Sequence, residues 1–317
     1  MAIGMPMKRC FEKAGIGFLP YLLSLLGLAF ASPGVRASGE SHPGSAKTQE
    51  AVQAQRVVSM APNITETVFA LGCGHRLVGV TDFCVYPPEG AALPKVGGYV
   101  NPNFEKLLVL RPDLVLLHGR HEKVETFLTG RGIRVVHVAM DHVSSVFSAI
   151  AQLGTVFHCP KRAAHLSKAI RDDLDALRKT VSAYQRPRVF VCLWRSAGGL
   201  TGLGTAGRGS YVGELVEAAG GENIFKEVAI PYPQASKESL IKRKPQVILE
   251  LRPGEEISDE QRRGLISDWQ VLGTVPAVQA GRIHILTDDF LLVPGPRIGR
   301  AARAIARALH PEVDHGP

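Results

Sequence analysis

The sequence carries no catalytic signature. It has no HExxH pair of histidines, no nucleophile elbow and no carboxylate pair at acid–base spacing. Its five cysteines form no CxxC pair, which argues against a structural zinc site. Lysine and arginine are scattered, with no basic stripe interleaved with aromatics, so a nucleic-acid surface is not expected. Aromatic residues make up only 6% of the chain. The one long apolar run, Ile16 to Phe30, falls short of the roughly 20 residues a spanning helix needs, and Pro20 interrupts it.

That run fits an export signal instead. Lys8, Arg9 and Lys13 form a basic head before it, and Ala29-Phe30-Ala31 and Val35-Arg36-Ala37 both offer small-residue cleavage sites after it. Residues 1–31 are therefore read as a signal peptide, with the second site moving the cut to 37. Cys10 precedes the apolar run rather than closing it, so it is not a lipid-attachment cysteine. Cleavage removes Lys8, Arg9, Lys13 and Glu12 and lowers the formal charge from +8 to about +6. Residues 32–55 are small and polar, a flexible leader. Of the four cysteines left, Cys73 and Cys84 are close enough in sequence to be a candidate disulfide in an oxidising compartment. Cys192 lies within an apolar strand and reads as a small hydrophobe. Cys159 has no assigned partner.

The 317 residues are 45% apolar, enough for two lobes of ordinary size. Short apolar runs alternate with helical patterns from Arg56. Strands are expected at 56–60, 77–81, 114–117 and 133–138. They show little polar alternation, which favours a parallel sheet buried on both faces. Asn63, with Glu66 three residues on, reads as a capping box opening a helix that Gly72 ends. Two helices then follow in succession, 143–157 and 161–183. The second carries an apolar stripe at Leu166, Ile170, Leu174, Leu177 and Val181 and is long enough to bridge two lobes. Strands at 188–193, 246–250 and 283–287, with helices at 210–219, 236–243, 258–265 and 297–309, repeat the first pattern. The expected fold is α/β: a lobe over 56–158, a connecting backbone helix over 159–186, a second lobe over 187–312, and a ligand cleft between them.

A repeated segment supports this. NFEKLLVLRPDLVLL at 103–117 overlays SKESLIKRKPQVILE at 236–250 at an offset of 133, pairing Glu105 with Glu238, Leu107 with Leu240 and Pro112 with Pro245. Each proline stops a helix just before a buried strand.

Candidate site residues lie at strand ends. Phe83, Tyr86, Tyr99, Trp194, Tyr232 and Phe290 suit a large flat ligand held between lobes. The segment Gly202 to Gly207 (GLGTAG) matches a dinucleotide fingerprint, but eight residues separate it from the strand it should follow. It reads as a cleft loop. His118, His121, His137 and His142 cluster in sequence with Asp141. His137 lies inside a strand pattern and reads as structural. His118 ends its strand, where a cleft opens.

Together the segments YPPE, NPNFE, RPDLV, GGENIF and PYPQ resemble the helical-backbone substrate-binding proteins of ABC importers, most of all the cobalamin binders, over about Arg56 to His310. The resemblance implies a corrinoid held edge-on between lobes that move little. It places cleft aromatics at Phe83, Tyr99 and Tyr232, a ligand-facing loop at Trp194 and Arg195, and an acidic contact at Asp289 followed by Phe290. Glu105 and Glu238 match the family's two transporter-docking glutamates. Two positions depart from the pattern. An aromatic is replaced by His118, a possible donor to cobalt or iron, and a cleft arginine is replaced by Val293.

The resulting expectation is a monomeric, soluble periplasmic binding protein, not an enzyme, with no cofactor of its own. It captures cobalamin or a related corrinoid and delivers it to an importer permease dimer with its ATPase. Haem or a ferric siderophore is the alternative cargo. A tetrapyrrole chelatase is a weaker reading, because His118 has no carboxylate beside it in sequence. A zinc or manganese receptor would have only His118 and Asp289 as ligands.

Overall fold

The computed structural model describes residues 54–99 and 101–312. The expected signal peptide, and all but the last two residues of the expected leader, lie outside them. The first lobe contains β1 (Val57–Ser59), α1 (Pro62–Ala70), β2 (Leu77–Val80), α2 (Pro88–Ala91), α3 (Phe104–Val109), β3 (Leu114–Leu117), α4 (Glu122–Thr129) and β4 (Arg134–His137). Next come α5 (Val143–Val156) and α6 (Pro160–Val181). The second lobe contains β5 (Arg188–Cys192), β6 (Leu203–Gly204), α7 (Tyr211–Ala218), β7 (Glu222–Asn223), β8 (Gln234–Ala235), α8 (Lys237–Arg243), β9 (Val247–Leu251), α9 (Asp259–Asp268), α10 (Pro276–Gln279), β10 (Ile283–Leu286) and α11 (Ile298–Leu309).

Each lobe is built on a parallel four-stranded sheet, ordered β2-β1-β3-β4 in the first and β7-β5-β9-β10 in the second. The order is the same in both: second, first, third, fourth. The repeated segment is the α3–β3 unit of one lobe and the α8–β9 unit of the other, and the likeness extends to single bonds. Asn103 caps α3 by accepting from the Lys106 amide, as Ser236 caps α8 by accepting from the Ser239 amide. Arg111 and Lys244 both take left-handed backbone angles, φ 45° and 47°. The Arg56 guanidinium donates to the Leu110 carbonyl, and the Arg188 guanidinium to the Arg243 carbonyl, both at 2.7 Å. Side chains at equivalent places, Asp113 and Gln246, accept from the Arg56 and Arg188 amides.

The helix α6 has 22 residues, about 33 Å at 1.5 Å per residue. Ala163, Ile170, Leu174, Leu177 and Val181 bury its apolar stripe, together with Ser167. The stripe packs against α5 and α11. One apolar cluster runs through both lobes: Val57, Leu114 and Leu116 from the first sheet and Val189, Val191, Val247 and Leu249 from the second belong to it. The intervening strand residues face outward into separate clusters, Val58, Val115 and Leu117 in one lobe and Phe190, Cys192 and Ile248 in the other. The period of two thus divides each sheet between a shared core and a private one.

The expected Cys73–Cys84 pairing is not found. The Cys84 sulfur lies 3.2 Å from the hydroxyls of Thr65 and Thr81, while the Cys73 sulfur faces Cys159. The expected capping box at α1 is also absent. Ala61 is the N-cap, the Asn63 side chain accepts from the next amide, and Glu66 is used elsewhere.

The left-handed residues give a first prediction. A side chain there costs about 1–2 kcal/mol that glycine avoids. Arg111→Gly and Lys244→Gly should each raise stability by about 1 kcal/mol in thermal melts, and Lys244→Val should lower it. Equal stability of the glycine and valine variants would contradict the assigned backbone.

Candidate functional site

The lobes meet through charge. The Arg297 guanidinium donates to both oxygens of Glu66, at 2.9 and 2.7 Å, and to both oxygens of Asp289 at 2.9 Å. Glu66 projects from α1 of the first lobe. Arg297 is the N-cap residue of α11 in the second. The Arg297 side chain is 8% exposed and that of Glu66 3%. Burial raises the Glu66 carboxyl above its usual value of 4.5, and Arg297 pulls it back only in part. The Tyr86 ring stacks on the outer face of the same guanidinium, 4.0 Å from its carbon. Phe290 lies beneath Arg297 and Arg300, at 5.4 and 4.8 Å. At 6% exposed, Phe290 is core and supports these cations rather than facing a ligand. Four residues after Val293, Arg297 does reach Asp289, but as a buried bridge rather than a cation open to the cleft.

A second group surrounds His118. Its Nδ1 lies 3.1 Å from the Val138 carbonyl, which can only accept, so this nitrogen carries a proton. Nε2 is left facing Asp141 at 3.3 Å. The carboxylate neighbour missing in sequence is therefore supplied by the loop after β4. The Tyr99 hydroxyl donates to the His118 carbonyl, and its ring meets His121 edge-on at 4.1 Å. Burial, with Asp141 adding, pushes the Tyr99 phenol up to about 12. Burial, then His118 and His137, lowers the His121 imidazole below its usual value. Phe83, 40% exposed, lies over Gly98 beside Tyr99. His137 is held by the Gly119 carbonyl at 2.7 Å and by Glu125 at 3.2 Å, a structural arrangement. Among the described residues, no three His, Cys, Asp or Glu side chains are arranged to hold a metal ion.

The second lobe faces this group. Asp141 raises the Tyr232 phenol across the gap, after burial itself. Tyr211, fully buried, feels Glu66 and contacts Tyr232 through its backbone, so it links the two groups. At the base, Glu214 on α7 accepts from the Val143 amide at 2.7 Å and stands 3.8 Å from His142, a further bond between lobes.

Trp194 and Arg195 line a cavity of about 700 Å³ at the carboxyl ends of β5 and β9, wholly within the second lobe. Arg195 does not offer its charge to that space. Its guanidinium donates to Glu250 at 2.9 Å and Asp268 at 2.7 Å, with 1% of the side chain exposed. Trp269 donates to the other Glu250 oxygen at 2.9 Å. Arg195 is a scaffold for the loop that carries Trp194. The glycines of GLGTAG serve the same loop. A methyl group on Gly204 would lie 1.9 Å from the Trp194 indole, and one on Gly207 would lie 2.1 Å from the Ile230 carbonyl. Glycine here lets an indole and a backbone approach, and Tyr232 lies two residues before β8 of the antiparallel β6–β8 pair so formed.

Glu66, Tyr211, Glu214 and Arg297 were not singled out as site residues, and Asp141 was noted only beside the histidines. Glu66 did leave a trace: it is the one charge between Ala61 and Gly74, in a helix whose residues 63–68 are all buried.

The Arg297 bridge gives a second prediction. Arg297→Met leaves Glu66 buried without its partner and should cost about 3–5 kcal/mol in denaturant unfolding. Glu66→Leu combined with Arg297→Met leaves no such charge and should recover much of that loss. A double variant no better than Arg297→Met would show that the bridge is not buried as described.

The match to known proteins agrees with this architecture. The family profile described as periplasmic binding protein matches residues 57–290. A vitamin B12-binding protein of Salmonella paratyphi A is 30% identical over 259 residues, covering 81% of this chain and 90% of its own. The periplasmic vitamin B12 binding protein BtuF of Vibrio cholerae superposes with a TM-score of 0.66 at 28% identity, over 81% of this chain and 97% of its own. A periplasmic heme binding protein of Pseudomonas aeruginosa superposes with a TM-score of 0.71, also at 28% identity, over 82% and 94%. With its two matched lobes and bridging helix, the chain belongs to the periplasmic binding protein family.

Proposed function

We propose that this protein captures cobalamin or a related corrinoid between its lobes and delivers it to an ABC-type importer. The observation that carries this reading is the aromatic frame. Phe83, Tyr86 and Tyr99 stand on the first lobe and Tyr232 on the second, where Trp194 lines a cavity of that lobe alone. Rings on two sides suit a large macrocycle with apolar faces, and the polar edges at Asp141 and Asp289 suit the amides around a corrin rim. Arg195 and Phe290 act beneath the frame as supports. Relatives named for vitamin B12 that align over most of both chains support the same cargo.

A second reading, haem or a ferric siderophore in the same place, rests on His118. Nδ1 is held by a carbonyl, which leaves Nε2 as the nitrogen a metal would take, in place of its present contact with Asp141 at 3.3 Å. The test is visible absorption of the purified protein titrated separately with cyanocobalamin, haemin and a ferric siderophore. Cyanocobalamin should bind tightest. Trp194→Ala and Tyr232→Ala should each lose about 1.5–3 kcal/mol of that affinity while remaining folded. Tight haemin binding without a cobalamin response would favour the second reading, and His118→Ala should then alter the iron spectrum.

Delivery is assigned to Glu105 and Glu238. Both are exposed in the first turns of equivalent helices. Hydrogen bonds from its own backbone amide and from Ser236 hold the Glu238 carboxyl below its usual value. Two matched carboxylates can meet two matched arginines on a dimeric permease, which fixes orientation more than it adds affinity. The double variant Glu105→Arg, Glu238→Arg should bind ligand normally and fail to support uptake in reconstituted vesicles, with each single variant partly impaired. Normal uptake by the double variant would reduce both residues to helix-dipole charges.

A further inference from the structure

We propose that Cys73 and Cys159 form a disulfide bond that staples the first lobe to the foot of the bridging helix α6. This rests on the export into an oxidising compartment that the sequence leads us to expect, independently of the ligand. The two sulfurs lie 3.8 Å apart and 86 residues apart in sequence. A bonded pair stands at about 2.05 Å, so a small rotation of the two side chains closes the gap. Both backbones are already fixed: the Cys73 amide donates to the Val68 carbonyl at 3.0 Å and the Cys159 amide to the Gly154 carbonyl at 2.7 Å. Among the described residues no other cysteine is placed to compete. Cys84 is surrounded by threonine hydroxyls, and Cys192 is closed in the second lobe with its thiol pushed up by burial.

The surroundings also suit the chemistry. Cys159 is the N-cap of the 22-residue α6, whose amino end favours a thiolate. One Arg162 nitrogen lies 3.6 Å from the Cys73 sulfur. Against this, burial pushes the Cys73 thiol up, and Cys159 beside it adds to the rise. Exchange therefore belongs to folding, before the pocket closes, and the closed pocket then protects the bond. The two thiols lose two protons and two electrons as the S–S bond forms. The acceptor is a small-molecule or protein disulfide, reduced to two thiols through a mixed-disulfide intermediate. Cys73 lies three residues past the end of α1, the helix that carries Glu66, and its amide bonds back to Val68 of that helix, so the staple anchors the first lobe's half of the Arg297 bridge.

The test uses the full mature chain, reduced, unfolded and refolded with oxidised glutathione in the absence of ligand. It is then denatured in an alkylating agent without reductant and mapped by mass spectrometry. Peptides bearing Cys73 and Cys159 should emerge linked, and those bearing Cys84 and Cys192 alkylated. Reductant should lower the melting temperature of the oxidised protein by about 10 °C, and Cys73→Ala with Cys159→Ala should remove that sensitivity. Alkylation of both Cys73 and Cys159, or a Cys73–Cys84 link, would overturn the proposal. A protein that forms the staple but fails to bind cobalamin would count against the proposed cargo alone.

Discussion

Arg297 holds two carboxylates from different parts of the chain, and the geometry between the lobes depends on it. A buried ion bridge adds little net stability over an apolar replacement, because its charges lose their water. It does fix orientation. Four charge-assisted hydrogen bonds set where α1 stands relative to α11, and with it Tyr86, which stacks on the same guanidinium. Tyr211 and Tyr232 continue the arrangement to Asp141 and His118. The shared apolar cluster and the Glu214 contact to Val143 then leave the two lobes little freedom to separate.

Duplication explains how a short sequence builds such a site. The two sheets share strand order, helix caps, left-handed turn residues and the arginine clamp on the preceding helix end. Equivalent strands therefore end at equivalent levels, and the loops after them face one another. The internal symmetry also places Glu105 and Glu238 at matching helix starts. The lobes differ at the proposed ligand site: the first carries exposed aromatics and histidines, the second a glycine-lined loop fitted around Trp194.

Much of this was legible in the sequence where the cause is local. Pro112 and Pro245 mark helix ends, Asn103 and Ser236 mark starts, and unbroken apolar runs such as LVLL at 114–117 mark strands buried on both faces. The aromatics at strand ends could be nominated by position alone. What escaped depends on long-range partners. Glu66 and Arg297 are 231 residues apart, so Glu66 looked like a helix-capping glutamate. Arg195 looked ligand-facing until Glu250 and Asp268 closed on it. Cys73 was paired with the nearer cysteine in sequence. The two-residue strands β6, β7 and β8 have no periodicity long enough to read.

The proposed site, held by the Glu66–Arg297–Asp289 bridge, would be formed before its ligand arrives. Small-angle X-ray scattering of the purified protein, with and without saturating cyanocobalamin, tests this directly. A preformed site predicts the same radius of gyration in both states, and an increased one for Arg297→Met without ligand. A clear contraction of the wild-type protein on binding would mean that the lobes close like a hinge and that the bridge does not set their separation.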